Sequence, residues 1–293
     1  MERGFYTKIS YKFTKGFVPH FVNYFKDIKR DLKRADINIS LKEYIGIAIF
    51  SSILTFIFTL PSVSIIVGIL VGGVNGLISG LIAGFFISLF LSTGVFMSFY
   101  VYPSIKVSSR KKKIKHTLPF ATLYLSTIAG TGTPPAAMFK LLANFKEYGE
   151  VSKEAEKISR DVHSFGADIS SALRRAADRT PSEEFRELLW GMNNIISSGG
   201  DLRTFLRENS EQFMNEYRRD LDKFSKTLSV LVEIYITLIV VGSVFLIVLS
   251  SIMSPLGINT FVLISIQIGG IFVFLPLASI MFIIMIKGVS PLS

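Results

Sequence analysis

Apolar positions along the chain gather into two long blocks, each preceded by a charged one. Residues 44–102 contain no Asp, Glu, Lys or Arg, and residues 228–293 contain only Glu233 and Lys287. A helix crossing the ~30 Å hydrocarbon layer needs about 20 apolar residues, so each block is long enough for two crossings. In the first, Gly72-Gly73-Val74-Asn75-Gly76 supplies a turn, because Asn-Gly favours turns and glycine ends helices. Spans are then expected near 44–71, kinked at Pro61, and near 77–102. In the second block "MSPLGIN" separates apolar stretches at 228–252 and 260–286. Gly68, Gly72, Gly76, Gly80 and Gly84 recur every four residues; with the turn at Asn75, Gly68 on one span and Gly80 and Gly84 on the other ease close packing between neighbours.

Between the blocks the pattern becomes that of an amphipathic helical domain. The stretch "HTLPFATLYLSTIAGTGTPPAAMF", His116 to Phe139, has an apolar core at 118–129 that is too short to cross a bilayer. A crossing there would also carry the charged 140–227 region to the opposite side. It is therefore expected to be a buried domain helix, capped by Thr117 and ended by Gly130-Thr131-Gly132. Thr133 is expected to cap the next helix, with Pro134 and Pro135 in its first turn. Val151, Ala155, Ile158, Val162 and Phe165 form one apolar stripe, stopped by Gly166. Asp168 starts a helix with Ile169, Leu173 and Ala176 inward. Thr180-Pro181-Ser182-Glu183 reads as a capping box with proline at the first helical position, opening a helix that carries Phe185, Leu188, Leu189, Met192 and Ile195. Gly199-Gly200 ends it, and Asp201 caps a sixth helix bearing Leu202, Leu206, Phe213, Tyr217, Leu221 and Phe224 towards the third span. Six helices with short loops make a bundle. The N-terminal segment places Phe17, Phe21, Phe25, Ile28 and Leu32 on one helical face with Lys26, Lys29, Arg30, Lys33 and Arg34 mostly elsewhere. Such a helix fits either the lipid headgroups or the bundle.

Composition agrees with a membrane class: 49% hydrophobic, 18% charged, mean hydropathy +0.48, against ~25% charged in soluble domains. The absence of cysteine excludes disulfides, thiolate metal sites and thiol nucleophiles. The net charge of +10 arises in two places: residues 1–43 hold ten Lys/Arg and five Asp/Glu, and residues 103–227 hold twenty-one and sixteen. Four spans put both termini and the 103–227 domain on one side, with Arg110, Lys111, Lys112 and Lys113 beside a membrane exit. By the positive-inside rule that side is the cytoplasm, so the basic balance implies lipid and protein partners rather than nucleic acid. No secretory signal is expected ahead of the spans. The expected organisation is all-α and polytopic: a cytoplasmic basic segment (1–43), two spans (44–102), a cytoplasmic six-helix bundle (103–227), two spans (228–287) and a cytoplasmic tail (288–293).

Catalytic chemistry is not expected. His20, His116 and His163 sit in three segments without metal spacing, and "GTGTPP" lacks the Gly-Lys-Ser/Thr of a phosphate-binding loop. Neither a cofactor nor a metal is implied. Glu233 is the lone carboxylate inside an apolar run, either a polar contact to another helix or a proton or ion site, or else an interfacial group near Lys223 and Lys226.

Two spans, the Tyr102-Pro103 exit, a basic run and "LPFATLYLSTIAGTGTPP" resemble the type II secretion system F domain family. The likeness continues through "GADISSALRRAADRTPSEEFRELLWGMNNIISSGGDLRTFL" to "LVEIYI", and is greatest to its archaeal branch, the platform proteins of archaella and archaeal type IV pili, then to the tight-adherence pilus type. The resemblance implies a cytoplasmic-membrane platform whose bundle meets a hexameric secretion ATPase and whose spans guide pilin or archaellin subunits, as a homo-oligomer or paired with a similar subunit. Matched by position, Gly166, Asp168, Ala172 and Leu173 fit one family turn and helix, Gly199, Gly200, Asp201 and Leu202 a second, and Glu233 the acidic residue entering the third span. Lys111, Lys112, Lys113, Arg174, Arg175, Arg218 and Arg219 exceed what topology needs and are candidates, with the Gly/Asp turns, to face the ATPase through steered contacts. The same cations would equally suit solvent or anionic headgroups.

Overall fold

The computed structural model describes residues 25–253 and 260–289. Phe17, Phe21, His20, most of the "MSPLGIN" connection and residues 290–293 lie outside the described residues. Among the described residues the fold is all-α, without strands. Three helices among the described residues are long and apolar enough to cross a membrane. The elements are α1 (Lys26–Arg34), α2 (Leu41–Val71), α3 (Gly73–Ala129), α4 (Pro135–Ala143), a 3-10 turn (Lys146–Tyr148), α5 (Gly149–His163), α6 (Ile169–Arg179), α7 (Glu183–Ser198), α8 (Leu202–Met253), α9 (Thr260–Gly269), a π-helical stretch (Gly270–Phe274) and α10 (Leu275–Val289). They fall into two compact units, Met1–Phe205 and Leu206–Ser293.

The first membrane helix begins where its sequence provides a complete cap. Ser40 Oγ accepts from the Glu43 backbone N–H at 3.3 Å, and the Glu43 carboxylate accepts from the Ser40 N–H at 3.1 Å, satisfying two donors that a helix start otherwise leaves open. The reversal after α2 needs one residue rather than five. Gly72 adopts φ 69°, a conformation open to glycine at little cost, and α3 starts at the next residue. Gly76 therefore lies in a helix and joins Gly80 and Gly84 on the face that meets α2. A methyl group on Gly76 would lie 2.6 Å from the Gly68 carbonyl oxygen, and one on Gly80 2.5 Å from that of Ser64. One on Gly84 would collide with the Ser64 hydroxyl. Backbone meets backbone along this seam, and Ser92 Oγ adds a donor to the Ser52 carbonyl at 2.8 Å.

The expected separate helix starting at Thr117 does not exist. α3 runs 57 residues through Pro103 and Pro119, and the Thr117 hydroxyl donates to the Lys113 carbonyl one turn back, at 3.1 Å, instead of capping. A proline inside a helix leaves the carbonyl four residues earlier without its donor. At Pro103 that carbonyl belongs to Phe99, and Tyr44 Oη from α2 donates to it at 2.8 Å. The lost bond is replaced across the helix pair, so the chain continues as helix. α8 is likewise one 52-residue helix, so the sixth helix expected for the bundle and the third apolar stretch are one element. Leu206 and Phe213 on it are buried, and Tyr217, Leu221 and Phe224 half-buried.

Three smaller expectations are corrected. Thr133 does not cap α4; its hydroxyl pairs with that of Thr131 at 2.8 Å, and Pro134 occupies the cap position. The cap of α7 is Ser182, which accepts from the Phe185 N–H. Thr180 still closes α6 through its N–H to the Ala176 carbonyl, and Pro181 holds it extended. Phe165 leaves the apolar stripe because α5 ends at His163, and its ring is 72% exposed. The apolar face of α1 packs on the membrane helices rather than on the bundle: Ile28 and Leu32 form a buried cluster with Tyr44 of α2, and Phe25 meets Phe96 and Tyr100 of α3 edge-on.

Replacing Gly80 with alanine should force α2 and α3 apart, because the obstructing atoms are backbone. We expect a loss of about 1–3 kcal/mol, read as an earlier midpoint when circular dichroism follows SDS-driven unfolding in mixed micelles. Gly94→Ala, with open space around it, should leave the midpoint unchanged; equal effects would contradict the seam.

Candidate functional site

α5 carries two stripes with the same spacing, one residue apart. Val151, Ala155 and Ile158 are fully buried, and Glu150, Glu154 and Lys157 follow beside them. At 100° per residue the second stripe borders the first, so these charges enter the interior with the apolar face. Glu154 has no exposed side-chain surface. Its Oε1 receives Arg110 from α3 at 2.9 Å and Lys157 at 3.0 Å, and its Oε2 receives Arg179 from the end of α6 at 3.0 Å. Arg110 also donates to Glu150 at 2.7 Å and to the Arg34 carbonyl at the end of α1 at 2.6 Å, where a cation meets the negative end of a helix. Lys157 reaches Asp36 at 2.6 Å. Asp36 adopts φ 57°, which Asp tolerates better than most side chains.

A buried charge is costly unless paired and hydrogen-bonded. Here each carboxylate oxygen of Glu154 has at least one charged donor, and α1, α3, α5 and α6 each supply part of the set. By contrast, Arg186 meets both oxygens of Glu183 at 2.7 Å through Nη1 alone, on a carboxylate 57% exposed, the type of pair that adds at most ~1 kcal/mol. Burial pushes the Asp36 carboxyl up, but the hydrogen bond from Lys157 and the charges of Lys157, Arg110 and Arg179 outweigh it and hold it below the usual range. Glu150 is set the same way: burial raises it, while hydrogen bonds from Lys153 and Arg110 bring it below the ordinary value.

The two predicted Gly/Asp turns come together. α6 and α7 form a hairpin through Thr180–Ser182, so the start of α6 lies beside the end of α7, and Ser170 Oγ is 3.5 Å from Ser197 Oγ. Gly166 (φ 65°) precedes Asp168, whose carboxylate accepts from the Ser170 and Ser171 N–H groups at 3.0 and 3.4 Å. Gly199 is left-handed (φ 70°), and the Gly200 N–H returns to the Ile195 carbonyl at 3.0 Å, a Schellman ending. Asp201 then accepts from the Arg203 N–H at 3.0 Å and the Thr204 hydroxyl at 2.5 Å. All five turn residues are exposed. Ala172 and Leu173, matched with the first turn, are fully buried, and Leu202 half-buried.

Lys111, Lys112 and Lys113 stand at the other end of the hairpin. They are exposed on α3, and Lys111 with Lys115 acts on Glu184 at the start of α7. A helix the length of α7 puts about 24 Å between its ends at 1.5 Å per residue, so the lysine run and the Gly/Asp turns are separate patches. Arg174 and Arg175 are exposed on α6 and, with Ser171, Asp178 and Trp190, line an open groove. Arg218, Arg219 and Glu233 belong to the second unit, all exposed. In that unit Tyr235, two residues from Glu233, bonds Ser279 at 3.1 Å and stacks on Phe282 with centroids 4.6 Å apart. At 200° around α8 from Tyr235, Glu233 points away from α10.

The sequence placed Arg110 only within a basic run and gave no role to Glu154, Arg179 or Trp190. The signal for the ion network was the charge repeat 150, 154, 157 running parallel to the apolar stripe. Among the described residues no three His, Asp or Glu side chains converge as a metal site.

The family described as Type II secretion system (T2SS), protein F matches residues 121–250. An uncharacterized protein of Methanocaldococcus jannaschii is 24% identical over 198 residues, 65% of this chain and 33% of its own. Flagella accessory protein J of the same organism is 28% identical over 144 residues, and that of Methanococcus voltae 30% over 145; each match covers 49% of this chain and 26% of the relative. The chain thus aligns with a third or less of the length of these relatives. No solved structure matches it.

Glu154→Ala should cost about 3–5 kcal/mol, because it leaves Arg110 and its neighbours as uncompensated charge. Emission from the single tryptophan, Trp190, reports the unfolding midpoint, and a variant within 0.5 kcal/mol of wild type would contradict the role given to Glu154. The pH dependence has a definite sign. Depressed carboxyls at Asp36 and Glu150 contribute stability that is full above their unfolded values of about 4. That contribution is lost as pH falls through their lower folded values. Asp36→Asn should flatten this acid limb without changing its slope above pH 6.

Proposed function

We propose that this chain, in which residues 121–250 are a type II secretion system F domain, is a non-enzymatic platform in the cytoplasmic membrane for a type IV pilus-like filament, a pilus or an archaellum. It couples a cytoplasmic hexameric secretion ATPase to the extraction of pilin or archaellin subunits and filament growth. The observation that carries this reading is the continuity of α3 and α8. Each takes part of the F domain and an apolar stretch in one unbroken helix. At 1.5 Å per residue α3 is about 86 Å long, so a displacement of the domain by a motor reaches the membrane without crossing a flexible loop.

The proposed topology has four crossings, the fourth formed by 260–289, where helical backbone continues through a π-helical stretch. Residues 1–43 and 103–227 are assigned to the cytoplasm by their basic residues, and 288–293 by the even number of crossings, with spans at 44–102 and 228–287. Homo-oligomerisation, or pairing with a similar subunit, would give the filament base its symmetry. Glu233, exposed in an apolar stretch of α8 and turned from α10, is assigned as a polar contact for a helix outside this chain, where a carboxylate is costly unless met by a donor. Lys111, Lys112, Lys113, Arg174, Arg175, Arg218 and Arg219, with the turns at Gly166–Asp168 and Gly199–Asp201, are assigned to the ATPase-facing surface.

Cross-linking the full-length protein in its native membrane and identifying what is recovered should yield a secretion-type ATPase and pilin-like subunits. Charge reversal of Lys111, Lys112 and Lys113 together should reduce ATPase recovery several-fold, most at low salt, where exposed charges are least screened. Recovery of neither partner, from membranes whose other complexes survive, would refute the platform reading. Solute flux in liposomes that Glu233→Gln abolishes would replace it with a transporter.

A further inference from the structure

We infer that the groove between α6 and α7, walled by Arg174, Arg175 and Trp190, docks an acidic segment of a partner protein by taking a side-chain carboxylate between the guanidinium groups and laying the adjoining residue on the indole. The inference rests on the platform reading for the partner's identity, a cytoplasmic motor component, but the groove's chemistry stands apart from it. The opening has a volume of about 350 Å³ and is lined by Ser171, Arg174, Arg175, Asp178 and Trp190, large enough for one or two side chains.

The walls are held in place from behind. Leu173, Ala176 and Ala177 are fully buried beneath α6, and Phe185, Leu188, Leu189 and Met192 beneath α7. Helical periodicity then turns Arg174, Arg175 and Trp190 outward. Gly191 fixes α7 further, since a methyl group there would overlap the Phe205 ring. Trp190, the single tryptophan of the chain, keeps 38% of its surface exposed, where burial of its ring is the usual outcome. Arg174 Nη2 donates to Ser171 Oγ at 3.1 Å, which orients the guanidinium and leaves its remaining donors to the groove. Arg175 Nε is 3.7 Å from Asp161, beyond hydrogen-bond range, with 54% of its side chain exposed. Tryptophan and arginine are the residues most enriched where binding energy concentrates, and rigid supports lower the entropy lost on binding.

Asp178 on the same wall selects among occupants. It repels a continuous polyanion, so a sheet of anionic headgroups fits poorly, whereas a single carboxylate faces two guanidiniums against one like charge. A second copy related by a two-fold axis would set these arginines against their own equivalents. An acidic protein segment satisfies both constraints.

The test uses the full-length chain in lipid nanodiscs, with Trp190 as reporter and a capped peptide of alternating Glu and Leu as probe. A saturable change in Trp190 emission is expected, weakened about tenfold or more in Arg174→Gln/Arg175→Gln, a difference of about 1.4 kcal/mol or more. The Lys140→Gln variant, at an exposed position on α4, and a Lys/Leu control peptide set the baseline. The exposed arginines leave the unfolding midpoint unchanged, which separates lost binding from lost fold. No saturable change, an equal response in the double variant, or the same response to phosphatidylglycerol vesicles without peptide would overturn the inference, as would a response to protein concentration alone. If the peptide binds but no ATPase is recovered from native membranes, the platform reading fails and the groove stands. If the ATPase is recovered equally with wild type and the double variant, and the peptide does not bind, the groove fails alone.

Discussion

Glu154 is a carboxylate with no exposed surface, and it binds Arg110, Lys157 and Arg179 at once. Burying one such charge unpaired costs several kcal/mol, and surface ion pairs in the same domain contribute a fraction of that. The positions of α3, α5 and the end of α6 are therefore linked: moving any of them away from Glu154 leaves a charge behind. Arg110 extends the link to α1 through the Arg34 carbonyl, and Lys157 does so through Asp36. α1 is thus fastened by specific polar contacts at its end as well as by Ile28 and Leu32.

This fixing matters because α3 is also a membrane helix. Arg110 follows the apolar part of α3 by only a few residues, so the ion network grips the helix close to where it becomes polar. Back towards the start of α3, Pro103 would interrupt the helix, but Tyr44 supplies the donor that the proline lacks, and the glycine seam brings α2 and α3 into backbone contact. Three different interactions, ionic, hydrogen-bonded and steric, hold one helix over successive stretches. A rigid connection of this type suits a protein that conveys displacement more than one that relies on hinged loops.

The apolar blocks, the Gly72 reversal, the capping roles of Asp168 and Asp201 and the buried faces of α5, α6 and α7 were legible in the sequence, because each follows from local periodicity or backbone chemistry. The continuity of α3 was not. Thr117, Pro119 and Pro103 are helix-boundary signals by local rules, and only the Tyr44 hydroxyl, remote in sequence, replaces a bond that Pro103 removes. Ser182, not Thr180, caps α7 because the preceding helix had already engaged Thr180. The candidate cations were readable as exposed charges, but their grouping was not. That Lys111 to Lys113 and the Gly166 and Gly199 turns lie at opposite ends of one hairpin depends on the antiparallel packing of α6 and α7, which no spacing encodes. Arg110 shows the same limit in reverse: read as part of a basic run, it is instead the buried member, because α3 turns it inward with Ile114 and Leu118 while its lysine neighbours face solvent.

Through the ion network, the membrane part of α3 and the domain built on α5 form a single mechanical body. Because the chain has no cysteine, spin labels placed at the exposed Met97 and Lys153 are free of background, and pulsed dipolar spectroscopy in nanodiscs reads the distance between them. One narrow distribution is expected in the wild type, broadening in Glu154→Ala. A distribution already broad in the wild type, or one that stays narrow when Glu154 is removed, would contradict it.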